Sequence, residues 1–246
     1  ESALRIGLEQ SQYVNVLPDL KVRESVKRMQ LDPATTEVSR EIGSEIAIRD
    51  GARALILPTI AEIGGRVRIT AEVIDPQTQT TVYSETAEGV GKDSILPSLD
   101  AINKRPRVRL GEALATVTEE SQPLEKVATA NLDALRAYSL GYKETSLGDF
   151  DQAGILYRRA ITLDPDFARA RIELGMRYLN LDRNREAQQQ LTRALELGER
   201  LTPTDKLLAE ASMSRLKSPR VALEKWRALA TLEPDLFTAQ GNYAFL

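Results

Sequence analysis

Leu140-Gly141-Tyr142, Ala153, Tyr157, Ala160 and Pro165 form the stretch that decides the reading of this chain, because the pattern returns. Gly141 recurs as Gly175, Ala153 as Ala187, Tyr157 as Leu191 and Ala160 as Ala194, each 34 residues on. A third copy follows at 35 residues, with Ala222, Trp226 and Leu229. Pro165 is matched by Pro234, 69 residues later. Small residues at fixed places mark where two helices approach closely. The larger Tyr157, Leu191 and Trp226 fill the space between them. A helical hairpin of this kind cannot bury its apolar face alone, so its neighbours must stack on it.

The spacing and these residues resemble the tetratricopeptide repeat. Leu140-Gly141 with Ala153, Tyr157, Ala160 and Pro165 match its pattern, as do Leu174-Gly175-Tyr178 with Ala187, Leu191 and Ala194. Glu199 stands where the second unit usually carries proline. The third unit departs further, with Glu210 where glycine is expected and Lys217-Ser218-Pro219 in place of the usual turn. Units are expected at about 134–167, 168–202 and 203–236, with a fourth cut short from 237. The resemblance implies an all-α superhelix whose concave face is lined by the first helix of each pair. It places Leu135, Tyr138, Tyr142 and Thr145 there in unit one. Arg169, Ile172, Met176 and Leu179 follow in unit two, then Thr204, Leu207 and Ala211 in unit three. Tyrosines, a methionine and an arginine suit a protein or peptide partner. The family's carboxylate-clamp form has Lys and Asn where this chain has Tyr138 and Tyr142, so capture of acidic C-termini is not implied. The competing reading is that these residues pack against the α+β domain or a neighbouring chain.

The first half changes period. Tyr13 to Leu17 is a β-prone run closed by Pro18-Asp19. Leu20, Val22, Val26 and Met29 predict a short helix, and Val38, Ile42 and Ile46 a second over about 36–50, ended by Gly51. Ala54-Leu55-Ile56-Leu57 reads as a buried strand running on to Ile63, with Pro58 hinting at an edge. Gly64-Gly65 signals a two-residue hairpin. Val67, Ile69, Ala71 and Val73 alternate inward on the next strand, and a third strand is expected over 80–87. A helix from about Pro106 to Thr118 closes this antiparallel meander. The fold class expected is therefore an α+β N-terminal domain over 1–120, a linker over 121–130, and the repeats over 131–246. Glu41-Ile42-Gly43, Ala54 to Leu57, Gly65 to Asp75, Thr78 and Tyr83-Ser84-Glu85 resemble the N-terminal domain of TolB. Such a domain before tetratricopeptide repeats resembles the C-terminal half of bacterial nucleotide cyclases, receptor kinases and winged-helix regulators.

Composition narrows the chemistry. The 246 residues include no Cys and no His. Disulfides, thiolate nucleophiles, Cys/His zinc sites and His-dependent triads are all excluded. With 33 Lys+Arg against 36 Asp+Glu, the chain does not carry the basic excess of a nucleic-acid binder. No apolar run approaches the ~20 residues of a membrane span. The absence of an initiator Met and the apolar ending at Tyr243-Ala244-Phe245-Leu246 suggest a piece of a longer, membrane-anchored or free bacterial protein, and the absence of Cys fits cytoplasm and periplasm equally.

Glu88-Gly89-Val90-Gly91-Lys92-Asp93 fails the phosphate-loop spacing and is expected to be a plain loop. Lys104-Arg105-Pro106-Arg107-Val108-Arg109 is the densest basic run and is expected to be a solvated helix start. Asp164, Asp166 and Asp182 fit inter-helix turns better than a metal site. The sequence thus points to no catalytic residue, cofactor or metal. It points to a non-enzymatic interaction module that docks a peptide or protein segment. A small-ligand sensory domain and a dimerisation module, with a homodimer left open, are the rivals.

Overall fold

The computed structural model describes residues 2–11, 13–109, 121–233 and 236–245. The chain divides into two compact units, Glu1–Leu124 and Glu125–Leu246.

The first unit is an antiparallel sheet with helices. Its helices α1 (Ser2–Leu8), α2 (Asp19–Arg28) and α3 (Arg40–Arg49) precede strands β1 (Leu55–Ile63), β2 (Arg66–Ile74) and β3 (Thr81–Val90). Ser39 starts α3 by accepting the Ile42 amide, which satisfies a donor that has no partner within the helix. The sheet order is β1-β2-β3. Ile63 pairs with Arg66, so Gly64 and Gly65 alone make the turn, at φ of 59° and 77°. Only a primed turn matches the strand twist at that length, and positive φ at both places favours glycine. Val67, Ile69, Ala71 and Val73 are buried along one face of β2, and α4 (Ile95–Arg109) packs across β2 and β3.

Three expectations are corrected in this unit. Tyr13 to Leu17 is not a strand. The run has β propensity but joins no strand of the sheet; Tyr13 is exposed, and the Leu17 carbonyl accepts from Arg5 Nη1 at 3.1 Å. β1 is half-buried at Leu55 to Pro58 and exposed from Thr59 on; it is an edge strand, as Pro58 hinted, and α4 packs on β2 and β3. The closing helix begins at Ile95, with Pro106 opening its last turn rather than its first. Leu96, Leu99 and Ile102 make the buried stripe that fixes it. The remainder of the expected helix, 110–118, lies outside the described residues.

Between the two halves, α5 (Leu124–Val127) is a single helical turn. Leu124, Val127, Ala128 and Thr129 are buried. On the first unit's side, Gln122 N–H donates to Gln10 Oε1 at 2.8 Å and Leu124 N–H to Asp100 Oδ1 at 2.9 Å.

The second unit is helical throughout: α6 (Leu132–Leu147), α7 (Phe150–Leu163), α8 (Ala168–Asn180), α9 (Asn184–Glu196), α10 (Pro203–Ser214), α11 (Pro219–Leu232) and α12 (Phe237–Phe245). Helices pair as α6/α7, α8/α9 and α10/α11, and each pair packs on the next. Asn131 caps α6 and Asp149 caps α7 through their side chains. A Cβ added at Gly141 would sit 2.8 Å from the Tyr157 ring, and one at Gly175 would sit 2.8 Å from Leu191. These contacts explain why glycine and a bulky partner recur together. The third pair solves the same place differently. Glu210 replaces the glycine, and its Oε2 lies 2.6 Å from Lys225 Nζ. Pro234 lies outside the described residues.

Candidate functional site

The residues expected to receive a partner lie on the first helices, α6 and α8. Leu135, Tyr138, Ile172, Met176 and Leu179 are buried. Tyr142 is half-buried. The Arg169 side chain is 14% exposed, and its Nε lies 3.0 Å from Asp205 Oδ1 on α10. Most of these residues therefore hold the array together, and Tyr142 with the rim of Arg169 remains accessible.

Tyr138 is the hub of this packing. Its ring lies 5.0 Å from Phe167, 5.8 Å from Tyr157 and 6.3 Å from Tyr142, centroid to centroid. Such tilted and offset pairs add to simple burial. Tyr157 is also buried, and its hydroxyl shares a 2.9 Å hydrogen bond with Thr145 Oγ1. Burial pushes the Tyr138 phenol well above its usual 10.0, Arg169 opposing and Glu173, Tyr142 and Asp205 adding. Burial does the same for Tyr157, helped by Glu173 and Tyr138.

These shifts have a sign. A raised folded-state pKa stabilises the fold below the unfolded value of about 10, and that stability is lost as pH rises beyond it. With no histidine in the chain, the thermal midpoint should stay level from about pH 6 to 9 and fall above about pH 10. A thermal-melt series over that range tests this, and a step between pH 6 and 7 would contradict it.

The other candidates resolve into structure. Arg105 pairs with the buried Glu85 at 3.0 Å, and the buried Arg107 donates to Ser121 Oγ at 2.6 Å. Of the basic run, Arg105 is thus in an ion pair, Arg107 is in the interior and Lys104 is exposed. Glu88 to Val90 belong to β3, and Lys92–Ser94 form a 3-10 turn, so no phosphate cradle exists there. Asp164 accepts from Thr129 Oγ1 and the Asp166 amide, and Asp166 pairs with Arg193 at 3.1 Å. No group of acidic side chains that could hold a metal occurs among the described residues, and no described helix is long and apolar enough to cross a membrane.

Two features escaped the sequence reading. One is the Arg169–Asp205 pair, which ties hairpin two to hairpin three. The other is an arginine-rich groove between α7 and α8, lined by Phe150, Ile155, Arg158, Arg177 and Leu181. A signal for it existed: 34 residues after Phe150 and Ile155 stand Asn184 and Gln189, so these two apolar residues are not required by the repeat.

The class this architecture defines is an antiparallel α+β unit followed by a stacked helical-hairpin array. The family model for the tetratricopeptide repeat matches residues 137–167, which span most of α6 and all of α7. Nothing among the curated proteins or the solved structures matches the chain. Tetratricopeptide repeats generally mediate protein–protein interactions and are generally non-catalytic.

Proposed function

We propose that this chain is a non-catalytic interaction module of a larger bacterial signalling protein, acting as a scaffold. The observation that carries this reading is the matched repeat at 137–167 stacked on two further hairpins. A protein segment docks across the first helices, α6 and α8. Tyr142 supplies amphipathic contact area there, and Arg169 supplies charge at the rim. The buried Tyr138, Met176 and Ile172 shape that surface from beneath. The first unit, similar to the TolB N-terminal domain, serves as a second platform or spacer.

The test compares capture by the immobilised chain with capture by Tyr142→Ala, read by mass spectrometry. Tyr142 is half-buried, so its truncation leaves the fold in place. A partner held by the native chain should be retained at roughly a tenth of the level or less, as for a central aromatic contact. Equal recovery of every captured protein by both forms would sink this reading.

A further inference from the structure

We propose that the groove between α7 and α8 is a separate docking site for an internal acidic segment bearing an apolar side chain. It goes beyond the reading above, since it uses neither Tyr142 nor Arg169.

The groove has a volume of about 280 Å³. Its apolar walls are open to solvent: Phe150 is 53%, Ile155 51% and Leu181 58% exposed. Large apolar side chains clustered around a concavity mark contact sites more often than isolated ones do. The cations set the chemistry of the occupant. Arg158, Arg177 and Arg183 line the groove against one acid, Asp151. Arg183 is engaged by Glu186 at 2.7 Å. Arg158 and Arg177 form no ion pair among the described residues, and Arg177 Nε is buried without a hydrogen-bond partner. A buried donor left unsatisfied in this way carries a desolvation cost.

Two of the guanidiniums sit over aromatic rings before anything binds. The Arg177 guanidinium lies 4.6 Å from the Phe150 ring centre, and that of Arg183 lies 4.5 Å from the Tyr178 ring centre. Arg183 already commits Nε and Nη2 to Glu186, so the carboxylate site rests on Arg158 and Arg177. An acidic side chain of the segment fits Arg158 and Arg177, and an adjacent aliphatic side chain fits Phe150, Ile155 and Leu181. In a chain of net charge −3, this local excess of positive charge gives the selectivity.

The experiment is fluorescence anisotropy of the full chain with a labelled peptide of three Glu-Glu-Leu units. Control peptides carry Lys for Glu or Ser for Leu. Binding should weaken as salt rises, and Arg158→Glu should raise the Kd at least ~tenfold. Leu181→Ser should weaken it too, while Tyr142→Ala leaves it unchanged. Arg158 and Leu181 are exposed, and unchanged thermal midpoints would confirm that both variants fold. The proposal is overturned if the peptide does not bind, if the Lys peptide binds equally, or if neither variant changes the Kd. Sedimentation adds a further outcome: a dimer that Arg158→Glu dissolves would assign the groove to a second copy instead of a peptide.

Discussion

Alanine at Tyr138 is expected to destabilise the repeat unit by about 3–5 kcal/mol, the usual cost of removing a buried aromatic ring. The ring is buried and touches Phe167, Tyr157 and Tyr142 at once. Its removal leaves a cavity bounded by α6, α7 and the turn before α8, which are held in place by their own packing and cannot collapse fully. Phe167 sits directly before α8, so the loss spreads from the first hairpin to the second. Tyr142, one turn further along α6, is half-buried, and its truncation should cost about 1 kcal/mol or less. Urea unfolding followed by far-UV circular dichroism separates the two. With a slope of roughly 2 kcal/mol/M, Tyr138→Ala should lower the midpoint by about 2 M and Tyr142→Ala by about 0.5 M or less. Equal shifts would mean that Tyr138 is not the hub described. The contrast also bears on binding: loss of capture in Tyr138→Ala reports unfolding, whereas loss in Tyr142→Ala reports contact.

That contrast shows what the sequence could and could not convey. Periodicity reports which residues share a face. The spacings of 34 and then 35 residues placed Ala153, Ala187 and Ala222, and Tyr157, Leu191 and Trp226, and all six are buried. The period of two placed Val67, Ile69, Ala71 and Val73 on the buried side of β2. Depth is a different quantity. Tyr138 and Tyr142 share a helix face one turn apart, yet one is enclosed and the other is not. The difference depends on Phe167, which follows a turn 29 residues after Tyr138. Competing local signals account for other differences. Pro106 is an acceptable helix start, but the stripe of Leu96, Leu99 and Ile102 buries more apolar surface and sets the start at Ile95. Tyr13 to Leu17 has strand propensity but joins no strand of the sheet. The α7/α8 groove draws on residues outside the repeat pattern, so no period points to it. Its arginines are distinguished only by where they lie and by what they lack.

Asp205→Ala is expected to cost about 3–5 kcal/mol, well beyond the loss of a helix cap alone. The Asp205 carboxylate does two jobs. Its Oδ2 accepts from the Thr202 hydroxyl at 2.7 Å and from the Thr202 amide at 3.3 Å, half of the reciprocal box that starts α10. Its Oδ1 faces Arg169 Nε at 3.0 Å, with the two side chains 5% and 14% exposed. Losing the first contact costs about 1 kcal/mol. Losing the second withdraws a carboxylate from a largely buried guanidinium, where a removed partner costs more than an exposed one. A cycle of variants separates the contributions. Asp205→Asn keeps an acceptor for Thr202 and removes the charge, so it should fall between the native chain and Asp205→Ala. Adding Arg169→Met to Asp205→Ala removes the buried charge itself, and stability should recover to within about 1–2 kcal/mol of the native chain. If the double variant is as unstable as the two single variants summed, the cost does not come from a stranded charge, and hairpins two and three are joined by packing rather than by this pair.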